Sequence, residues 1–433
     1  MLSVIILAAG QSKRMNSKVP KVLHLIGGLP MIQHVLKSVQ KVNPYQIILV
    51  TSPSLAIEFK GHTTVIQEVP KGTGHAVELA LAAVDEKASE VMILCGDTPL
   101  IHPHTLQTLN DSEADLTLVS MRLQSQNHAY GLVFQDIKEK PKQIIEFKDA
   151  TTTQRQIRSG NAGVYKIKTS LLKELLPLLN NNNAASEYYL TDLVGLAYDR
   201  GYHTHMIEAE EEEFQGINNR VELAKAEMIL QNRWRHEKMM AGVTLVQPET
   251  IFFSHDTEIG KDSRIGPFVT FGEKVCIQED VTILPYCHIE HATIEEGVSV
   301  GPFAHLRGNT LLQKGSSIGN FVEVKGSKIG KKSKAKHLSY IGDAEVGEKV
   351  NIGAGTVTCN YDGFKKSKTV IKDGSMIGAN ASLIAPLTIG EGVIIAAGST
   401  VTESVPENAL VVARSVQTIK PNWATKFRQK NKK

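Results

Sequence analysis

Residues 258–272 read Glu-Ile-Gly-Lys-Asp-Ser-Arg-Ile-Gly-Pro-Phe-Val-Thr-Phe-Gly, so an apolar residue followed by glycine returns every six positions, at Ile259-Gly260, Ile265-Gly266 and Phe271-Gly272. The pair recurs downstream at Val300-Gly301, Ile318-Gly319, Ile329-Gly330, Ile341-Gly342, Val346-Gly347, Ile352-Gly353, Ile377-Gly378 and Ile389-Gly390, with insertions between some copies. A short period sustained over this length marks a solenoid. The aliphatic side chain points into a coil, and the small residue after it permits a tight corner. Three hexapeptides close one triangular coil, and stacked coils bury a continuous apolar core. From about Thr250 onward a stacked parallel β-helix is therefore expected, and the known solution for this repeat is left-handed, an exception to the right-handed crossover rule.

Upstream the pattern is different. Ser3–Ala8, Gln46–Val50, Val91–Cys95 and Leu116–Met121 are short apolar runs, read as strands buried on both faces of a parallel sheet. Helical stretches such as Met31–Val42 and Gly74–Val84 lie between them. This alternation predicts a doubly wound α/β domain over residues 1–218, with ligands at the carboxyl ends of its strands. Residues 219–243 read as a linking helix, with Asn218 or Asn219 able to cap its start and Gly242 to end it. Residues 244–433 form the second domain, ending in a basic tail from Lys420 to Lys433 in which Lys420 and Trp423 are candidates to line a site.

A chain of 433 residues is too long for one ordinary core, which agrees with two domains. The 48 basic and 45 acidic residues nearly balance, which argues against a dedicated nucleic-acid binder. No apolar run is long enough to span a membrane, and the first strand is too short for a signal-peptide core, so a cytoplasmic protein is expected. The four cysteines, Cys95, Cys276, Cys287 and Cys359, form no C-x-x-C pair, as suits a reducing compartment. Cys287-His288 with His291 nearby raises the thought of a metal, but no second ligand pair follows at zinc-like spacing.

The first candidate site begins at Leu7-Ala8-Ala9-Gly10, directly after a buried strand. Small residues there let backbone N–H groups approach a phosphate or base edge. Arg14 and Lys21 add cations suited to a triphosphate. The loop is neither a P-loop nor a dinucleotide fingerprint. Gln67 can pair with a nucleobase edge, and Gly72-Thr73 offers backbone and hydroxyl at a helix start. Asp97 follows a buried strand and needs a cation there, for which Mg²⁺, shared with substrate phosphates, is the obvious choice. In the second half, His337 stands among lysines in a repeat whose interior wants aliphatic residues. It therefore faces outward, as a candidate general base. The segment Cys359-Asn360-Tyr361-Asp362-Gly363 interrupts the repeat, and an extended loop on a β-helix is a place for function.

Taken in order, Leu7–Gly10, Arg14-Met15, Pro20–His24, Gly72–Ala76, Gly96-Asp97, Glu187–Asp192 and Gly216–Arg220 resemble the bacterial bifunctional N-acetylglucosamine-1-phosphate uridylyltransferase/glucosamine-1-phosphate acetyltransferase family, and the match runs nearly end to end. The resemblance implies that Arg14 and Lys21 stabilise the UTP phosphates, that Gln67, Gly72 and Thr73 hold uracil, and that Asp97 and Asn218 bind Mg²⁺. Gly131, Glu146, Asn161 and Thr191 would hold the N-acetylglucosamine phosphate. It further implies that Arg307, Lys325, Tyr340, Asn351 and Lys366 bind glucosamine phosphate, with His337 as base and Asn360 and Tyr361 near the thioester carbonyl. Ala354, Ala379, Ala397, Arg414 and Lys420 would contact acetyl-CoA. Ala379 replaces a serine common in the family, Cys95 an aromatic residue, and Ser12-Lys13 a Gly-Thr or similar pair. The family's β-helices associate as homotrimers, which is the assembly expected. Two other readings start from the same folds. One is a single-activity sugar nucleotidyltransferase with a regulatory β-helix, as in ADP-glucose pyrophosphorylases. The other is a non-catalytic interaction subunit, as in translation-factor exchange complexes. His337 with the Asn360-Tyr361 loop speaks against the first, and the set Arg14, Lys21, Asp97 and Asn218 against the second.

Overall fold

Leu2–Ala8 has almost no polar atoms to satisfy and forms the central strand of the first unit, β1. The computed structural model describes residues 1–10, 13–59, 61–124 and 130–432, so Ser12 and Lys433 lie outside the described residues. The chain divides into two units, Met1–Leu230 and Gln231–Lys433. In the first unit β1 is followed by a small hairpin, β2 (Leu25–Ile26) and β3 (Leu29–Pro30), then by α1 (Met31–Gln40), β4 (Gln46–Thr51), β5 (Thr63–Ile66), α2 (Thr73–Leu81) and β6 (Glu90–Cys95). Next come α3 (Pro103–Asn110), β7 (Leu116–Arg122), β8 (Leu132–Gln135), β9 (Pro141–Ile145), β10 (Ser159–Lys168), α4 (Thr169–Leu175), α5 (Asp192–Asp199) and β11 (Thr204–Ala209).

The main sheet runs β11-β7-β10-β6-β1-β4-β5, with β8 attached to β10 and β9 to β8. Its two faces carry separate cores. Val4 and Ile6 pack with Val35 and Val39 of α1, whereas Ile5 on the opposite face packs with Val77 and Ala80 of α2. That is the doubly wound arrangement, with period-two side chains buried on both sides. The expectation of a parallel sheet is corrected at β10, which lies antiparallel between β6 and β7, and at β8 and β9, which pair antiparallel as well. The first half of β10, Ser159-Gly160-Asn161-Ala162-Gly163, is small and polar and lacks the apolar run by which the other strands were read.

Helix α6 (Arg220–Met240) belongs to both units. Asn219 supplies its cap, its side-chain oxygen accepting from the N–H groups of Val221 (3.0 Å) and Glu222 (2.9 Å), while Glu222 accepts in return from the Asn218 N–H. Of the two capping candidates, Asn219 does the capping and Asn218 is left available to the site. Beyond the unit division, Gln231 and Arg235 donate to the carbonyls of Phe253 and Ile251.

The second unit is the expected left-handed β-helix. Ile265 pairs with Ile283, Ile283 with Val300 and Val300 with Ile318, each one coil further on in a parallel ladder. Three such ladders, of ten, eight and eight strands, form the faces. The aliphatic residues of the repeat all enter one continuous core. One coil is longer: Ile352 pairs with Ile377, and the extra residues form the Asn360–Lys366 loop.

The corners depart from the simple reading of the Ile-Gly pairs. The residue two places after the glycine takes the left-handed conformation, as at Asp262, Phe268, Lys274 and Phe303. Several of the glycines serve close stacking instead. A Cβ on Gly319 would stand 1.8 Å from the Lys336 carbonyl oxygen one coil away. The neighbour is backbone and no rotamer relieves the clash. Gly319→Ala is therefore expected to destabilise the second unit by about 3 kcal/mol, the upper end of overpacking costs. Denaturant unfolding checks this, and an unchanged midpoint would mean that the coils separate freely.

Candidate functional site

The carboxyl ends of β1, β5 and β6 open onto a cavity of about 400 Å³. Of the residues singled out in the sequence, Leu7, Ala8, Ala9, Gly10, Lys21, Gln67, Gly72, Thr73 and Asp97 line it. Cys95, Ala76 and Glu187 line it too. Gln67 is buried. Its amide nitrogen donates to the Gly72 carbonyl (3.2 Å) and lies 3.0 Å from His75 Nδ1. Both amide hydrogens are thereby engaged, which leaves the carbonyl oxygen to accept a hydrogen bond.

The Gly72–Ala76 and Glu187–Asp192 segments, more than a hundred residues apart, are tied to each other. Gly74 N–H donates to the Tyr188 carbonyl (2.8 Å), Tyr188 N–H to that of Lys71 (2.9 Å), and Leu190 N–H to the Thr73 hydroxyl (3.1 Å). Gly72 has φ +108°, and a Cβ there would meet the Tyr188 carbonyl at 2.5 Å, so only glycine fits both the backbone conformation and the contact. These contacts fix the N-terminus of α2 at the cavity wall.

Lys21 ion-pairs with Asp97 and also donates to Asn218 Oδ1 at 3.1 Å. The Asn218 amide nitrogen is turned away to the Gly216 carbonyl (3.2 Å), and Ile217 N–H bonds the Asp97 carbonyl (3.1 Å). A carboxylate oxygen and an amide oxygen thus converge on one cation, here the Lys21 ammonium. That is a donor set which fits Mg²⁺, a hard ion bound through oxygens. Arg14 is exposed on the short turn Lys13–Met15 and does not line the cavity.

Gly131, Glu146, Asn161 and Thr191 form their own cluster. Thr191 donates to Glu146 at 3.1 Å, Asn161 N–H to the Gly131 carbonyl at 2.7 Å, and Asn161 Nδ2 to the Tyr165 hydroxyl at 2.7 Å. Cys95 lies between this cluster and the cavity, its sulfur 3.8 Å from the Cβ position of Gly163. Burial pushes its thiol up to about 12, so it is not a nucleophile. Burial also holds the Glu146 carboxyl above the usual carboxylate range, and the Thr191 hydroxyl only partly offsets this. A raised acid costs the fold nothing below the ordinary carboxylate pKa. The cost grows as pH rises through that value and is complete once Glu146 ionises in the folded state. Glu146→Gln should therefore raise the unfolding midpoint by a few degrees at neutral pH and by nothing in acid. A pH series of melting curves checks this, and a constant difference would contradict it.

In the second unit His337 is exposed at the end of the strand Lys334–His337. Its Nδ1 lies 2.8 Å from Asn320 Oδ1, its register partner one coil earlier. An amide oxygen only accepts, so Nδ1 carries the proton and Nε2 presents a lone pair outward. Asn320 was not singled out from sequence, and the signal for it is the coil period itself, which stacks it on His337.

Arg307, Lys325, Tyr340, Asn360 and Lys366 gather on and beside one face. Arg307 forks onto Glu323 (2.6 and 2.8 Å), Lys325 pairs with Asp343 (3.6 Å), and Asn360 donates to Asp343 and lies 3.5 Å from the Tyr340 hydroxyl. Lys325 beside Lys366 holds the latter's ammonium below its ordinary range. Asn351 is not brought to this cluster; it is exposed on another face, stacked on Lys334. Ala354, Ala379 and Ala397 line successive coils. Asn380 N–H donates to Ala354 (2.7 Å) and Gly398 N–H to Ala379 (2.8 Å), and exposed Arg414 stands by Gly398. Tyr361 is exposed and donates to the Gly363 carbonyl (2.6 Å), and Lys420 is exposed before α7 (Trp423–Lys430).

Fold and sites together define a nucleotidyltransferase joined to a hexapeptide-repeat acyltransferase. The model of the MobA-like NTP transferase domain matches residues 4–160, and that of the bacterial transferase hexapeptide, six repeats, matches residues 368–403. A protein of Zymomonas mobilis called bifunctional protein GlmU is 42% identical over 444 residues, covering 100% of this chain and 98% of its own length. Proteins of the same name from Paramagnetospirillum magneticum and Wolbachia pipientis are each 42% identical, over 437 residues (99% and 96% of the two chains) and 421 residues (96% and 97%). The chain belongs to the family of bifunctional GlmU proteins, and it is a bifunctional nucleotidyltransferase and acetyltransferase. Among the described residues no helix is long and apolar enough to cross a membrane.

Proposed function

We propose that the chain makes UDP-N-acetylglucosamine, a cell-wall precursor, in two steps at two sites. The β-helix transfers acetyl from acetyl-CoA to glucosamine 1-phosphate. The α/β unit then joins the product to UTP and releases pyrophosphate. The observation that carries the nucleotidyl half is the convergence of Asp97 and Asn218 oxygens on one cation at a cavity lined by Leu7–Gly10, Gln67 and Gly72-Thr73.

In the first site the Gln67 carbonyl accepts the imide N–H of uracil, and the Ala8–Gly10 backbone cradles the phosphates. Gly131, Glu146, Asn161 and Thr191 hold the sugar phosphate. Its oxygen attacks the α-phosphorus while Lys21, with Arg14 drawn in from its exposed turn, neutralises the leaving pyrophosphate. Asp97 and Asn218 would hold Mg²⁺, which when bound supplies further charge neutralisation. In the second site Arg307, Lys325, Tyr340, Asn351 and Lys366 bind the sugar phosphate. His337 Nε2 takes the amine proton as the nitrogen attacks the thioester, and Asn360 and Tyr361 stabilise the oxyanion. Ala354, Ala379 and Ala397 offer a flat edge to the cofactor, and Arg414 and Lys420 meet its phosphates.

Because Asn351 lies on a different face from the Arg307 cluster, a complete acetyltransferase site needs neighbouring copies side by side, and the assembly is a cytoplasmic homotrimer. Sedimentation tests this: a monomer with full acetyltransferase activity would refute it. The half-reaction with UTP and N-acetylglucosamine 1-phosphate tests the first site. Pyrophosphate release should need Mg²⁺ and stop with EDTA, and release indifferent to the chelator would refute the metal assignment.

A further inference from the structure

His288 and His305 are register partners on adjacent coils, as though one imidazole were laid beside the other, their ring centroids 5.3 Å apart and edge to face. Glu290 follows His288 by two residues, which keeps it on the same side of the strand, and its carboxylate lies 4.0 Å from His288 Nε2. One ligand atom from each of His288, Glu290 and His305 falls within 4.8 Å of the others. Room for the carboxylate comes from Gly272 one coil earlier, where a Cβ would stand 2.7 Å from that of Glu290.

The geometry points to a divalent transition-metal site at His288, Glu290 and His305, separate from the Asp97 site and on the β-helix. Two imidazoles and a carboxylate select zinc-like ions over magnesium, which prefers oxygen alone. Bond lengths near 2.0–2.2 Å around a tetrahedral ion set ligand atoms about 3.3 Å apart, so atoms now up to 4.8 Å apart need to close by up to about 1.5 Å. His288 is exposed and the other two are half-buried, so rotamer changes suffice, and open positions are left for water.

The Cys287-His288-His291 grouping visible in the sequence is not the site. Cys287 is buried in the core with its sulfur toward the Pro285 and Val300 carbonyls, and His291 occupies a left-handed corner. The second ligand pair missing at zinc-finger spacing is supplied by the coil period, which returns the chain to His288 at His305. One coil further on, Glu323 stacks on His305 and is held by Arg307. The metal would therefore sit on the same face as Arg307 and Lys325, one coil from their basic cluster.

Titration of the full-length protein with Co²⁺ in excess Mg²⁺, followed by calorimetry and visible absorption, tests the site. Magnesium keeps the Asp97 site occupied. One Co²⁺ per chain is expected, displaced by Zn²⁺. His288→Ala and His305→Ala should each weaken binding at least about tenfold, since even the partners of metal ligands are worth that. Cys287→Ala and His291→Ala should bind as the wild type does. Circular dichroism confirms that the variants fold. No uptake by the wild type, unchanged uptake by both histidine variants, or loss of uptake in Cys287→Ala or His291→Ala would each overturn the assignment.

Discussion

Asp97→Asn is expected to lower uridylyl transfer by about 10²–10³-fold while leaving acetyl transfer at the wild-type rate. The carboxylate is half-buried at the end of β6, and the chain invests heavily in placing it. The Ile217 N–H holds its backbone carbonyl, Lys21 pairs with its side chain, and Asn218 turns its amide oxygen to the same point. Asparagine keeps the shape and removes the charge. What is lost is therefore the electrostatic anchor of Lys21 and of the proposed metal, not the fold. Pyrophosphate release from UTP and N-acetylglucosamine 1-phosphate measures the first activity, and CoA thiol release with glucosamine 1-phosphate the second. Uridylyl transfer within a few-fold of wild type would remove Asp97 from the chemistry.

His337→Ala should do the reverse, costing acetyl transfer about 10²–10⁴-fold, the usual worth of a positioned general base, with uridylyl transfer untouched. The side chain is exposed, so its removal leaves no cavity and little structural penalty. Asn320→Ala removes the acceptor that fixes the tautomer. It should lower kcat for acetyl transfer with little change in KM, whereas a residue of merely structural importance would shift the unfolding midpoint instead. Retained acetyl transfer in His337→Ala would mean that another group takes the amine proton.

The parts of this molecule that were legible in its sequence are those governed by period. Strands buried on both faces show as short apolar runs, and the Ile-Gly pairs of residues 258–272 announce the coils because each coil needs the same inward residue. Contacts made across periods were harder to read. Asn320 meets His337, and His305 meets His288, only because one coil occupies about as many residues as separate them. Strand β10 hid because its glycines and Asn161 belong to the polar cluster with Gly131, Glu146 and Thr191 and dilute its apolar pattern. Asn218 and Asn219 looked equivalent as caps, and only the geometry assigns one to the helix and the other to Lys21. Arg14 carries the charge the sequence motif calls for, yet it is exposed and off the cavity wall, which no pattern of residue types could show.

The most direct measurement is product analysis of the purified full-length protein supplied with glucosamine 1-phosphate, acetyl-CoA, UTP and Mg²⁺. UDP-N-acetylglucosamine, CoA and pyrophosphate should accumulate together, with N-acetylglucosamine 1-phosphate piling up in the Asp97→Asn variant. If the protein joins UTP to added N-acetylglucosamine 1-phosphate but never releases CoA, the β-helix is not an acetyltransferase here, and the two-site proposal is contradicted.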